Sequence, residues 1–221
     1  MDEQLDMDMI KNLSIEDFCG LLSTSSPVPG GGSVSAYVAS LGTALAGMVA
    51  NLTSGKKKYA EYQEEIEDII KTADVIREDL MDGISRDAES FLPLAGAYSL
   101  PSETEEEKKY KEETLEELLV VAASAPLELI RKIIPAMEIL ERLTEIGTKL
   151  AVSDIGTGLL LCDAAATSAA LNVYCNTKLM KNRSVADKMN EEADELIKRS
   201  FQIRANNLPK VIVSLRTDEN V

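Results

Sequence analysis

The chain of 221 residues carries 38 acidic and 23 basic side chains, a formal charge of -15, and no histidine. Its length is enough to bury a substantial core in one domain, and its negative charge opposes association with nucleic acid or an anionic membrane. Without imidazole, Ser-His-Asp triads, Cys-His dyads and most catalytic zinc sites are excluded, which leaves carboxylates, lysines and tyrosines for proton transfer.

The three cysteines, Cys19, Cys162 and Cys175, lack the close paired spacing of a zinc site, and no apolar cleavable leader precedes them. Reduced thiols in a cytoplasm are expected, with Cys162 and Cys175 as small buried hydrophobes. No metal is expected. Aromatics are 4% of residues and tryptophan is absent, while Ala, Leu, Glu, Lys and Ile fill long segments without strand-like alternation. The expected fold is all-α: a single-domain helical bundle over residues 1–221 with long antiparallel helices and short flexible ends at about 1–12 and 215–221.

Ser14-Ile15-Glu16-Asp17 predicts a capped helix with an acidic first turn, running to about Leu22, and a loop from Ser23 to Gly32. A second helix should start at Ser33. No charge occurs between Asp17 and Lys56, which raises the question of a membrane span, but Ser33, Ser35, Ser40, Gly42, Thr43, Gly47 and Asn51 dilute the apolar run and favour a buried bundle helix. Ser35, Ala39, Thr43 and Gly47 recur every four residues and form a small-residue stripe that another helix can approach closely. Ala151 to Asn172 is a second segment of this kind. Two helices buried all round require surrounding helices or a second subunit, so a homodimer is expected.

Between them, Tyr59 to about Tyr98 places Ile66, Ile69, Ile70, Ala73, Ile76, Leu80 and Ile84 at helical intervals. Pro93 should kink or break this helix near its end. Leu100-Pro101-Ser102 marks a turn before the acidic cap Thr104-Glu105-Glu106-Glu107. The next helix carries Leu115, Leu118, Leu119 and Ala122 on one face, with breaks or kinks expected at Pro126 and Pro135 and an end near Gly147. The last should begin at a Ser184 cap and turn Met189, Leu196, Ile197 and Ile203 inward before Pro209.

The loop Pro27-Val28-Pro29-Gly30-Gly31-Gly32-Ser33 sets three glycines before a helix. Glycine lets a ligand approach the main chain, and the helix start offers unpaired amides, so an anion or a polar heterocycle fits there, with Ser33 capping the helix or touching the ligand. A plain loop stiffened by prolines explains the same residues. No strand precedes the loop as a dinucleotide fold requires, and Asn51-Leu52-Thr53-Ser54-Gly55-Lys56-Lys57 lacks the P-loop spacing. Lys56, Lys57 and Lys58 form the densest basic cluster in an acidic chain, suited both to the carbonyls of a helix end and to a carboxylate-bearing ligand.

Together, Pro27 to Ser33, Asn51 to Tyr59, Asp87-Ala88-Glu89-Ser90-Phe91, Leu100-Pro101 and Ser153-Asp154 resemble the formimidoyltetrahydrofolate cyclodeaminase family in order and spacing, over nearly the whole chain. That family includes the C-terminal domain of formimidoyltransferase-cyclodeaminase and free-standing bacterial methenyltetrahydrofolate cyclohydrolases. The resemblance implies an all-helical homodimer that binds tetrahydrofolate, its one-carbon carrier and substrate, near the subunit interface. It implies Asp87 and Asp154 as candidate catalytic carboxylates, and Pro29, Gly30, Gly31, Gly32, Ser33, Lys56, Lys57 and Asn172 as substrate-binding residues, the lysines for the glutamate tail. Asp154 also reads as a first-turn acid, and Asn172 and Asn176, at helical spacing, as ligand contacts or as bridges between helices. Gly83 and Arg86 depart from the commoner family pattern. Without transferase domains the chain leans toward cyclohydrolase, with cyclodeaminase as the alternative and a non-catalytic helical module as the reading from another class.

Overall fold

The computed structural model describes residues 10–217, whose regular elements are all helices, with no strand among them. In chain order the helices are α1 (Ile15–Leu22), α2 (Gly31–Thr53), α3 (Gln63–Ala97), α4 (Glu105–Ile146), α5 (Val152–Thr177) and α6 (Arg183–Arg216), with short 3-10 turns at Lys57–Tyr62 and Lys149–Ala151. The caps follow side-chain chemistry. Ser14 Oγ accepts from the Asp17 amide, and Thr104 and Glu107 form a reciprocal capping box that starts α4.

The long helices pack antiparallel. Thr148 N donates to Thr53 Oγ1 where α2 ends and α5 is about to begin, while Asn172 lies beside Gly31 at their other ends. α2 is flanked by α3 and α5, α4 lies across α3 and α5, and α6 covers the outer side of α4 and α5. Ile66, Leu80 and Ile84 of α3 meet Ile130, Ile133 and Leu140 of α4 in one core, as the apolar spacing of these helices dictates. Gly31–Thr53 and Lys149–Thr177 are long and apolar enough to cross a membrane by length and composition, and about half of each apolar stretch is buried in the bundle.

α2 and α5 approach closely at Gly42 and Gly158, outside the four-residue stripe that the sequence suggested. A Cβ on either glycine would stand 3.1 Å from the other's carbonyl oxygen, and one on Gly158 would also meet Leu140 Cδ2 at 2.7 Å. Gly158→Ala is therefore expected to lower stability by about 1–3 kcal/mol through overpacking, more than the roughly 1 kcal/mol that alanine gains in helix propensity. A denaturation midpoint at or above the parent's would contradict this crossing geometry.

Several sequence expectations are corrected. The chain does not break at Pro93, Pro126 or Pro135, which lie inside continuous helices, as Pro209 also does. A proline removes one backbone donor and crowds one turn, and burial along these helices outweighs that local cost. Asn182, not Ser184, caps α6, its side chain accepting from the Val185 amide. α2 begins at Gly31 rather than Ser33. Of the ends expected to be flexible, residues 1–9 and 218–221 lie outside the described residues. Within them, Ile10 is 1% exposed in the core, Lys11 pairs with Asp82, and α6 continues through Arg216.

Candidate active site

The first turn of α2 packs against the C-terminal half of α3, and this contact builds the site. Ser33 is fully buried. Its hydroxyl lies 2.9 Å from Asp87 Oδ2 and 3.2 Å from the Ile84 carbonyl oxygen. The Ser33 amide, one of the unpaired donors of the helix start, also bonds to the Asp87 carboxyl. Ser33 can thus serve both protonation states of Asp87. It donates to the carboxylate, or it accepts from the protonated acid while donating to Ile84 O.

Burial pushes the Asp87 carboxyl above the ordinary carboxylate range, and the hydrogen bonds from the Ser33 hydroxyl and amide oppose that rise in part. The carboxyl lies directly over Gly32, where a Cβ would meet Oδ1 at 1.8 Å. Gly32 is therefore a close-approach glycine in ordinary helical backbone.

Asp87 opens onto a cavity of about 150 Å³ lined by Pro27, Val28, Gly30, Gly31 and Gly32 of the loop and α2, Ser90 and Phe91 of α3, Ala122 of α4, and Asn172, Cys175 and Asn176 of α5. Among the described residues, Asp87 is the one charged side chain that lines it. Asn172 Nδ2 donates to Ser168 O at 3.0 Å, and its amide stands 3.5 Å from where a Gly31 Cβ would lie. Asn176 Nδ2 donates to Ala122 O and Asn172 O, tying α5 to α4 behind the cavity. Such a pocket offers one protonatable group, two amides, an aromatic face and exposed main chain, which suits a polar heterocycle undergoing proton transfer.

The predicted site residues divide into two groups. Gly30, Gly31, Gly32, Asp87 and Asn172 line the cavity together. Pro29 is buried behind its wall, and Ser33, expected to cap the helix or touch a ligand, is sealed beneath Asp87 while Gly30 holds the cap position. Lys56, Lys57 and Asp154 stand at the opposite end of the bundle. At 1.5 Å per residue, α2 carries Lys56 and Lys57 about 33 Å or more from the loop, and α5 carries Asp154 roughly 27 Å from Asn172. There Lys56 Nζ bonds to Thr148 Oγ1 at 3.0 Å, and Asp154 occupies the first turn of α5, where amide groups favour a carboxylate.

Ser90, Phe91 and Cys175 complete the cavity without having been singled out as site residues, and Asn176, read as a ligand contact or a helix bridge, lines it as well. Their signal was helical spacing, since 87, 90 and 91 share one face of α3 and 172, 175 and 176 one face of α5. Cys175 is exposed at the cavity, contrary to its expected burial. Cys162 is buried as expected, and desolvation pushes its thiol up to about 12. No group of three or more metal-ligating side chains occurs among the described residues.

The sequence pattern of the formiminotransferase-cyclodeaminase family matches residues 14–195. The chain belongs to that family. It is 36% identical to a methenyltetrahydrofolate cyclohydrolase of Methylorubrum extorquens over 189 residues, 86% of this chain and 91% of that protein. It is 29% identical to the rat formimidoyltransferase-cyclodeaminase over 184 residues, 83% of this chain but 34% of that longer protein. The fold matches the crystal structure of a formiminotetrahydrofolate cyclodeaminase from Thermotoga maritima with a TM-score of 0.84 and 30% identity, over 93% of this chain and 99% of that one. The family was thus legible in the motifs, and the all-helical architecture with it.

Proposed function

We propose that this family member is a folate-dependent one-carbon enzyme, a methenyltetrahydrofolate cyclohydrolase in which Asp87 is the acid/base. The observation that carries this reading is one half-buried, protonatable carboxyl, held by Ser33 over an alanine-intolerant glycine and facing a cavity of amides and exposed main chain. The similarity to the Methylorubrum cyclohydrolase along nearly its whole length supports this reaction over its alternative.

In this mechanism water attacks the carbon between N5 and N10, and ionised Asp87 takes one of its protons. Asp87 returns that proton to N5 as the carbon–N5 bond breaks, and the remaining hydroxyl proton is lost to solvent as the formyl group forms on N10. Ser33 follows the proton by exchanging its donor between Asp87 and Ile84 O. A cyclodeaminase reading draws on the Thermotoga likeness: N10 attacks a formimidoyl carbon and Asp87 protonates the departing nitrogen, which leaves as ammonia. A paired assay separates the two. The cyclohydrolase should discharge the absorbance of methenyltetrahydrofolate and release no ammonia from the formimidoyl substrate. Ammonia release with a persistent methenyl signal selects the second reading, and neither signal rejects both.

The active form in this reading is a cytoplasmic homodimer. α2 and α5 expose Leu41, Met48, Leu52, Leu160 and Leu171, with no charged side chain among the residues of α2. A two-fold axis across the middle of this face sets two α2 helices antiparallel, and so brings Lys56 and Lys57 of a second copy toward the loop for the folate glutamate tail. Mixing Asp87→Asn with Lys56→Ala/Lys57→Ala chains is then expected to regenerate turnover in the hybrid, because one of its sites is intact. Two weakly active variants that stay so after subunit exchange would refute the shared site.

A further inference from the structure

Behind Asp87, on the α3–α4 side, lies a second and smaller cavity of about 30 Å³, lined by Gly83, Arg86, Asp87, Ala125, Pro126, Glu128, Leu129 and Lys132. Asp87 thus borders two spaces. The smaller one is flanked by two cations, and both are held elsewhere. Lys132 Nζ lies 2.7 Å from Asp79 Oδ2 and 2.8 Å from Oδ1, and Arg86 Nη2 lies 2.8 Å from Asp79 Oδ1 and also bonds to the Asp79 carbonyl.

Helix geometry explains the arrangement. Arg86 directly precedes Asp87, and adjacent residues on a helix do not face each other. Asp79, two turns back, shares the face of Arg86, and helical side chains lean toward the N-terminus, so Asp79 draws the guanidinium away from residue 87. Lys132 reaches the same carboxylate from α4. Among the described residues, the other elements around Asp87 bring no competing cation: α2 gives the neutral Ser33, α5 gives Asn172, Cys175 and Asn176, and α4 otherwise gives Glu128.

We propose that Asp79 is a positioning residue that holds Arg86 and Lys132 away from the Asp87 carboxyl, and so preserves the ability of Asp87 to carry a proton. In keeping with this, burial and the Ser33 hydrogen bonds set the titration of Asp87, and no cation contributes. Released from Asp79, either cation gains access to the cavity that Asp87 borders, where its attraction would favour the ionised form. The inference rests on the acid/base reading of Asp87 for its catalytic consequence only.

The test is the titration of Asp87 itself, followed by 13C NMR on protein labelled at the aspartate carboxyl carbon and assigned by the signal missing in Asp87→Asn. Asp79→Asn is expected to lower the midpoint by about one pH unit or more, as for a carboxylate gaining a cation within a few ångströms. Adding Arg86→Gln and Lys132→Gln to Asp79→Asn should return the midpoint to the parent value. An unmoved midpoint in Asp79→Asn, or one that stays low once both cations are removed, overturns the proposal. Asp79 has 38% of its side chain exposed, so the substitution is expected to fold. Should it not, Arg86→Gln/Lys132→Gln with Asp79 intact decides: an unmoved midpoint supports the proposal, and a rise of about one unit shows that the cations already act on Asp87 and overturns it. The pH limb of kcat should follow the NMR midpoint. A midpoint that moves without the limb would reject the catalytic role of Asp87 and leave the positioning by Asp79 standing.

Discussion

Asp87→Asn is expected to lower kcat by about 10²- to 10⁴-fold, the usual contribution of a positioned acid or base, with folate affinity and oligomeric state retained. The amide has the shape of the carboxyl and its oxygen can still accept from the Ser33 hydroxyl, which lies 2.9 Å from Oδ2. What it lacks is a group that can take up and return a proton near neutral pH. The measurement is single-turnover and steady-state kinetics beside direct folate titration, and full turnover in the variant would sink the assignment. Asn172 and the exposed glycine backbone remain in place to bind, so the effect should fall on kcat rather than KM.

The same residue carries a stability consequence of defined sign. The folded-state pKa of Asp87 is raised, so its contribution is fully present below the unfolded carboxylate pKa and is lost as pH rises through the folded value. At neutral pH the ionised carboxylate therefore costs stability relative to a neutral side chain of the same shape. Asp87→Asn should be at least as stable as the parent at pH 7, and its advantage should disappear in acid. Thermal melts across pH check this, and an Asn variant that is less stable at pH 7 alone would contradict it.

The helices themselves were legible because their determinants are local. The Ser14 and Thr104–Glu107 caps, and the apolar spacing from Ile66 to Ile84, act within a few residues and fix elements whatever the rest of the chain does. The possible breaks at Pro93, Pro126 and Pro135 in α3 and α4 were misread because a proline's cost is local while the packing that offsets it is not. The candidate site was legible in part for the same reason. Asp87 and the glycine loop stood out by residue type, yet spacing along one helix could not show that Ser33 turns inward, or that Cys175 lines the cavity. Lys56 and Asp154 belong to motifs of the same family resemblance as Asp87 but lie a helix length from it, because antiparallel packing places α2 and α5 termini at both ends of the bundle.

Three consecutive glycines look equivalent in a sequence, and the structure makes them differ. A Cβ on Gly31 would meet the Asn172 amide at 3.5 Å, an ordinary contact, whereas one on Gly32 would stand 1.8 Å from Asp87 Oδ1 and 2.4 Å from its Cγ. Both residues have helical backbone within α2, so alanine at either gains roughly 0.5–1 kcal/mol of helix propensity. Gly31→Ala is expected to keep that gain as a higher melting temperature. In Gly32→Ala the carboxyl must move, and moving it breaks its bonds to the Ser33 hydroxyl and amide, because Ser33 is fixed in the buried first turn. Displacement of a reacting group by about 1 Å costs on the order of 10²-fold in rate. Gly32→Ala should therefore lose about that much kcat while the fold, seen by circular dichroism, persists. Pairing it with Asp87→Asn should add little further loss, since both remove the same positioned proton. Wild-type turnover in Gly32→Ala, or losses that multiply in the double variant, would show that the contact between Gly32 and Asp87 does not position the reacting carboxyl.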